Sequence, residues 1–515
     1  ELGTQSLDDY QNFADDPGDV QGTDNTDMLI TKLKSENKPD TLIVTSIQKM
    51  SRIKEKKDVN IRDIEIIRQK RLVFIVDEAH RSTFGDMLKD IKHTFPHAIF
   101  FGFTGTPIFE INCKKLSTTA TVFGNELHRY TIADGIRDKN VLGFDPCIAR
   151  TYDSRDLRLA VALDKAKAST VKEAVNNPKK AKVYYHYMDS SQVKMAGYET
   201  DTGDYIKGIE DELPNSQYDR DEHREMVVKD ITDNWLTLSR NGKFHALFAT
   251  NRIREGLIYY RMLKKKAPNL RVTGLFDPTI DNKGGNDYKE SGLLEIIDDY
   301  NKMFHQNYSL KIAGAFKKDV ALRLAHKDPY LYIESQPEQE INILIVVNQM
   351  LTGFDSKWIN TLYIDKVLEY ENIIQAFSRT NRLFGPDKPF GAIRYFRKPF
   401  TMQRNVDMAI KEYSGDRPLG LFVEKLEKNL NWLNLIFQEI QDIFVQAGIP
   451  DFDKLPSERA DKGNFAKKFS DFNEHLEAAK VQGFVWEKSR YEFSHDDGSK
   501  TEVEMIFDEN TYDTL

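Results

Sequence analysis

Leu72-Val73-Phe74-Ile75-Val76 is an apolar, β-branched run that ends abruptly in Asp77, Glu78, Ala79 and His80. A run this short and this apolar reads as a buried strand. A buried strand that delivers two adjacent acids at its tip is a metal–nucleotide arrangement. One carboxylate can hold Mg2+ and the other can orient or deprotonate a water. Taken alone, an Asp-Glu pair is more often a strand running into a solvated acidic turn, so the weight rests on the rest of the chain.

The same pattern recurs on either side. Residues 41–48 (TLIVTSIQ) form a second apolar strand, and Thr45, Ser46 and Gln48 lie at its C-terminal edge. Ligands of open α/β sheets bind at that edge. Residues 98–103 (AIFFGF) form a third strand, followed by Thr104-Gly105-Thr106-Pro107. The glycine allows a tight turn, and the threonines offer hydroxyls to a phosphate or a neighbouring acid. Helical segments, one ending near Gln69 and one over 84–95, separate these strands. The spacing predicts a parallel α/β sheet.

Residues 1–145 are therefore expected to hold a first α/β unit. From about Pro146 the chain becomes highly charged, and 146–222 reads as a helical linker or insertion. Its lysines (Lys165, Lys167, Lys172, Lys179, Lys180, Lys182) suit a solvated helix face better than a DNA patch. A second α/β unit is expected over 223–398. Its strands are 244–250, 272–276, 341–347, 361–365 and 391–396, and its helices 252–264, 293–304 and 373–383, with a loop over 277–292. Strand signals stop after Lys398, so 399–515 is read as helical.

Composition sets the outer limits. A 515-residue chain with 40% hydrophobic and 30% charged residues has ample core. A net charge of −8 excludes a binder that is basic over its whole surface, but not one with a local basic groove. Cys113 and Cys147 make neither a disulfide framework nor a metal-site spacing, which fits a reducing compartment. No apolar run approaches the roughly 18 residues of a membrane span.

The second unit carries its own polar constellation. The strand INILIVV leads into Asn348-Gln349-Met350-Leu351-Thr352-Gly353-Phe354-Asp355. Further on lies Gln375-Ala376-Phe377-Ser378-Arg379-Thr380-Asn381-Arg382. Arginines at i, i+3 on a helix share a face, and each can grip phosphate oxygens in a forked geometry.

In this order, strand-DEAH, strand-TGTP, strand-TGFD and QAFSRTNR resemble the motor of superfamily 2 helicases and translocases. The longer phrases VDEAHRSTFG, FGFTGTPIF, MLTGFDSKWINTLYIDK and QAFSRTNRLFG look like the R (HsdR) subunit of type I restriction-modification enzymes. The resemblance implies two RecA-like parallel-sheet lobes followed by an α-helical region. It also implies ATP-dependent translocation of double-stranded DNA in support of cleavage of unmodified DNA. ATP and Mg2+ would be the cofactors. Double-stranded DNA and the modification (methyltransferase) and specificity subunits would be the partners, in the cytoplasm of a prokaryotic cell and not at a membrane. By the same resemblance, Asp77 would coordinate Mg2+ and Glu78 would position the water, while His80 would couple the nucleotide site to DNA tracking. Arg379 and Arg382 would reach the γ-phosphate. Gln375, Gly353 and Asp355 would line the nucleotide site, and Thr104, Gly105 and Thr106 would link hydrolysis to lobe movement. Thr45, Gln48 and Thr352 would touch DNA.

The sequence departs from that pattern in two ways. A phosphate-cradling G-x-x-x-x-G-K-[ST] loop does not precede Asp77, and Gly498-Ser499-Lys500-Thr501 lacks the first glycine and the leading strand. The loop would belong before residue 1, so the first lobe is expected to be N-terminally truncated. No nuclease site is assigned either: Glu55-x-Lys57, Asp281-x-Lys283 and Asp287-x-Lys289 lack a flanking strand and partner acid. Two alternatives stay open. One is another superfamily 2 DNA helicase; the other is an interaction fragment unable to hydrolyse ATP.

Overall fold

The computed structural model describes residues 2–35, 42–53, 61–80, 84–113, 118–277, 286–347, 351, 354–414, 422–494 and 499–515. Two compact units emerge, Glu1–Thr131 and Ile132–Leu515.

In the first unit β1 (Val20–Gly22) pairs with β2 (Leu42–Val44), and β3 (Val73–Val76) pairs with β4 (Ile99–Gly102), both in parallel. Among the described residues these are two separate pairs, whereas the sequence predicts one sheet of three strands. The strands are also half-buried rather than buried. Phe74 and Phe100 stack with ring centroids 4.7 Å apart. They face a core of Leu29, Leu33, Ile67, Ile91 and Phe95, while Val73, Ile75, Ile99 and Phe101 are exposed. Successive strand residues point to opposite faces, and because both faces are apolar the sequence hides the alternation. The strand expected over 41–48 stops at Val44. Ser46 accepts from the Lys49 backbone N–H and so caps a short helix, Ile47–Ser51, where the strand was to continue.

The second unit is organised by a six-stranded parallel sheet. Its strands are β5 (Phe144–Ile148), β8 (His245–Thr250), β9 (Val272–Leu275), β10 (Ile343–Val346), β11 (Ile359–Asp365) and β12 (Gly391–Tyr395), in spatial order β5-β12-β11-β8-β10-β9. β8, β9, β10 and β11 are buried along their whole length. That is why they read as nearly continuous apolar runs rather than alternating ones. The expected boundary at 145 falls inside β5, which belongs to this sheet and not to the first unit. Pro146 lies within β5, an edge strand, where proline is tolerated.

Residues 146–222 hold the helices Ser154–Lys165, Val171–Asn176 and Pro178–Met188, a hairpin of β6 (Tyr198–Glu199) and β7 (Tyr205–Ile206), and then a short helix, Ile209–Glu212. Leu157, Val161, Ile209 and Tyr218 form their core. Lys165 pairs with Glu212 and Lys180 with Glu173, as a solvated charged face would. The expected loop over 277–292 is shorter than predicted, because a helix already begins at Asn286 and runs to Phe304.

After the sheet come the helices Pro399–Tyr413, Leu426–Gln446 and Arg459–Gln482. Leu430, Leu433, Phe437, Ile440 and Phe444 recur at helical spacing and bury against Phe465, Phe472 and Leu476. This region is not purely helical. β13 (Arg490–Ser494) and β14 (Lys500–Glu504) form an antiparallel hairpin packed through Tyr491 and Val503. Lys500 and Thr501 lie in that hairpin, which agrees with setting aside a phosphate loop there. No helix among the described residues is long and apolar enough to cross a membrane.

Candidate functional site

In the first unit the parallel pairing of β3 and β4 continues past both strands. Phe103 N donates to Val76 O at 2.8 Å and Ala79 N to Phe103 O at 3.0 Å. Asp77 and Glu78 sit between those two bonds, and the chain bulges there. Glu78 has φ +50°, a left-handed conformation rare for a residue with a side chain. Asp77 Oδ1 accepts from the Glu78 backbone N–H at 2.8 Å, which fixes the exposed Asp77 carboxylate at the strand tip.

His80 is buried at 8% exposure and joins two motifs. Its Nδ1 lies 2.8 Å from Thr104 Oγ1 and 3.3 Å from Glu78 Oε2. A carboxylate only accepts, so a proton on Nδ1 would be shared between Glu78 and the Thr104 hydroxyl. Thr104 Oγ1 in turn accepts from the Thr106 backbone N–H at 3.1 Å, and Thr106 is buried. Asp77, Glu78, His80, Thr104 and Thr106 thus form one connected cluster. Gly105 does not behave as the sequence suggested. A Cβ there would meet nothing within 4 Å and its φ is not left-handed, so the turn makes no demand for glycine. Thr45 accepts a hydrogen bond from Thr23 Oγ1 at 2.8 Å. Gln48 is exposed on the helix Ile47–Ser51 and not on a strand tip.

In the second unit the helix expected over 373–383 is Glu371–Phe377. It stops early because hydroxyls take up its last carbonyls: Ser378 Oγ donates to Gln375 O and Thr380 Oγ1 to Phe377 O, both at 2.9 Å. Arg379 and Arg382 therefore follow the helix instead of sharing one of its faces, and their chemistry differs. Arg379 Nε donates to Gln375 O at 3.0 Å, Nη2 to Ser378 Oγ at 3.0 Å, and Nη1 to Phe354 O. It clamps the segment carrying Phe354 and Asp355. Arg382 Nε pairs with Asp355 Oδ1 at 2.5 Å, with side chains 40% and 45% exposed. Thr352 and Gly353 lie outside the described residues.

Sequence reasoning passed over Lys388. It is 1% exposed, and its Nζ donates to Lys357 O at 2.9 Å and Ile359 O at 2.7 Å. Burial, with the Arg382 charge acting in the same direction and Asp355 opposing it, pushes this ammonium down to about 7. The lysine pins the chain just after Asp355. In the sequence it is one of two adjacent charges, Asp387-Lys388, between Pro386 and Pro389, which is no signal of burial.

Comparison with known proteins gives two family matches. Residues 1–182 match the SWI2/SNF2 ATPase family, and residues 242–398 match type I restriction enzyme subunit R domain 3. The type I restriction enzyme SauMRSORF196P endonuclease subunit of Staphylococcus aureus (strain MRSA252) is 34% identical over 423 residues, covering 80% of this chain and 39% of that protein. The SsaAORF53P endonuclease subunit of Staphylococcus saprophyticus is 33% identical over 425 residues, with the same two coverages of 80% and 39%. Among solved structures, the Mycobacterium smegmatis helicase Lhr bound to ssDNA and AMP-PNP aligns over 95% of this chain and 47% of its own, at 9% identity and a TM-score of 0.37. The chain spans 39% of the length of the two staphylococcal relatives.

Proposed function

We propose that this chain, a member of the family of type I restriction enzyme R subunits, is the ATP-driven double-stranded DNA translocase of such an enzyme and supports cleavage of unmodified DNA. The observation that carries the reading is the His80 bridge. One buried imidazole contacts both the Glu78 carboxylate and the Thr104 hydroxyl, so a change at the acids is felt at once in the segment after β4. A motor needs such a link between its hydrolytic groups and a movable segment.

The residues fit Mg2+ and ATP chemically. Asp77 offers an exposed carboxylate fixed by its neighbour's N–H, a hard oxygen donor suited to Mg2+. Bound Mg-ATP supplies the scissile phosphoanhydride and a metal that neutralises its charge. Glu78 accepts a proton from, or orients, the attacking water, and its left-handed backbone turns the side chain back toward His80. Arg379 is held by carbonyl oxygens and positions the loop that carries Asp355. Arg382 is the arginine suited to phosphate, because only its Nε is engaged among the described residues. Its exchange from Asp355 to a phosphate gives up a half-exposed pair, a loss of about 0–1 kcal/mol. Gln375 supports this segment through its backbone oxygen.

Contacts to DNA through Thr45 and Gln48 would address the phosphate backbone, and so be salt-dependent and indifferent to sequence. Sequence choice would then reside in the specificity and modification subunits. The test is Arg382→Ala in the native protein assembled with those subunits. DNA-stimulated ATP hydrolysis should fall to background while nucleotide binding stays largely intact. Normal hydrolysis in that variant would remove Arg382 from the site.

A further inference from the structure

The six-stranded sheet reverses its winding between β8 and β11. From β8 the chain leaves through the helix Ile253–Lys266 toward β9 and returns to β10. From β11 it leaves through Glu371–Phe377 toward β12, on the opposite side. The crevice outside the carboxyl ends of the strands at such a point is where open parallel sheets bind ligands. A cavity of about 580 Å3 lies there, within the size range of small-molecule sites. Asn251 and Arg252, just after β8, line it together with Val367, Glu369 and Tyr370, just after β11. None of the residues from the DEAH, TGTP or QAFSRTNR segments does.

The lining offers an anion two cations, Lys398 and the exposed Arg252. Arg252 is the N-cap residue of a 14-residue helix that no side chain caps, an end where the helix dipole favours an anion. Lys398, half-buried, precedes the helix Pro399–Tyr413 with φ +45°. Neither the Arg252 nor the Lys398 side chain makes an ion pair among the described residues. Arg397, by contrast, is committed to Asp365, Asp219 and the Tyr218 carbonyl.

Two buried hydroxyls of the lining also want partners. Tyr218 Oη (residue 1% exposed) and Thr401 Oγ1 (6%) make no hydrogen bond of proper geometry. The Lys398 backbone N–H approaches the first and the Glu210 carboxylate the second. A buried hydroxyl left unpaired is costly. Four acids share the lining: Asp211 and Asp219 are taken up by Tyr205 and Arg397, and the carboxylates of Glu199 and Glu369 are exposed. Acids there repel a polyanionic strand laid across the opening, but accept hydrogen bonds from a compact ligand that carries its own donors.

We propose that this cavity binds a phosphate monoester of mononucleotide size, with the phosphate between Arg252 and Lys398 and its hydroxyl or amino groups toward Glu199 and Glu369. The site belongs to the second unit alone and does not depend on the motor reading. The test is titration calorimetry of the 515-residue chain with AMP, adenosine, inorganic phosphate and a short single-stranded oligonucleotide. AMP should bind at one site per chain, at least about tenfold more tightly than adenosine, since the charged hydrogen bonds to phosphate carry the affinity. Arg252→Gln and Lys398→Gln should each weaken AMP by about tenfold or more, with an unchanged urea midpoint as the folding control. Asp77→Asn and Arg382→Ala should leave this binding in place, which separates the cavity from the proposed hydrolytic site. The proposal is overturned by absent AMP binding, by equal affinity in both cavity variants, or by an oligonucleotide that outcompetes AMP there.

Discussion

His245 and His326 form a buried imidazole pair whose pH response can be worked through. Their Nε2 atoms lie 2.8 Å apart, and the residues are 1% and 6% exposed. His326 stacks on Trp358 with ring centroids 3.9 Å apart, and its Nδ1 faces Glu334 Oε2 at 3.3 Å. Burial pushes His245 down to about 3, and the neighbouring imidazole adds to the effect. Burial also lowers His326, to about 4, with Glu334 pulling the other way. In the unfolded chain both titrate near 6.5. The folded values are the lower ones, so this contribution is fully present above about pH 6.5 and is lost as the pH falls toward about 4. At pH 5 an unfolded histidine has gained RT ln(1 + 10^1.5), about 2 kcal/mol, from protonation that folded His245 scarcely shares. His326 adds at most the same amount.

Glu340 works in the opposite direction, since burial raises it to about 7 and folding then takes up a proton in acid. The wild-type slope alone therefore decides nothing, whereas the difference from a His245→Asn variant does. Urea unfolding near pH 8 and near pH 5, followed by tryptophan fluorescence, should show the variant losing about 2 kcal/mol less than the wild type across that interval. Identical losses in the two proteins would refute the claim that His245 is buried in its neutral form.

Two further substitutions probe the packing behind the sites. Asp365, fully buried, accepts from His223 Nε2 at 2.9 Å and Tyr259 Oη at 2.8 Å, and pairs with Arg397. Asp365→Ala leaves the buried Arg397 with Asp219 as its one acid and removes the acceptor of His223 and Tyr259, and should cost about 3 kcal/mol in urea unfolding; a loss below about 1 kcal/mol would show that Asp219 and the Tyr218 carbonyl suffice for Arg397. Gly391 opens β12 where an added Cβ would lie 2.1 Å from Thr380 Oγ1 and 3.1 Å from the Thr380 carbonyl oxygen. Gly391→Ala should cost about 1–3 kcal/mol and displace the segment before Arg382, and pairing it with Thr380→Ala should recover part of the thermal stability.

The second sheet was largely legible because its strands are buried on both faces. INILIVV and FHALFAT each carry one early polar residue, Asn342 and His245, too few to disguise them, and their polar ends marked the ligand edge. The first unit was read less well. β1, only Val20–Gly22, is too short to show a period at all. The apolar residues of β3 and β4 gave no hint that Val73, Ile75, Ile99 and Phe101 stand exposed. The end of the helix before Arg379 was missed for a local reason, since Ser378 and Thr380 can extend a helix or bond back to its carbonyls, and here they bond back.

Residue types in sequence order determined the chemistry on offer: two acids and a histidine at a strand tip, threonines after the next strand, and a pair of arginines in a segment that read as helix. Those choices are local, because a strand-to-loop junction is written in a handful of adjacent residues. The tertiary structure alone decided which groups remain available. It placed His80 between Glu78 and Thr104, used up Arg379 on carbonyl oxygens, paired Arg382 loosely with Asp355, and brought Arg252 and Lys398, 146 positions apart in the numbering, to one cavity. Availability depends on burial and on partners distant in the chain, and neither is encoded in the spacing of a motif.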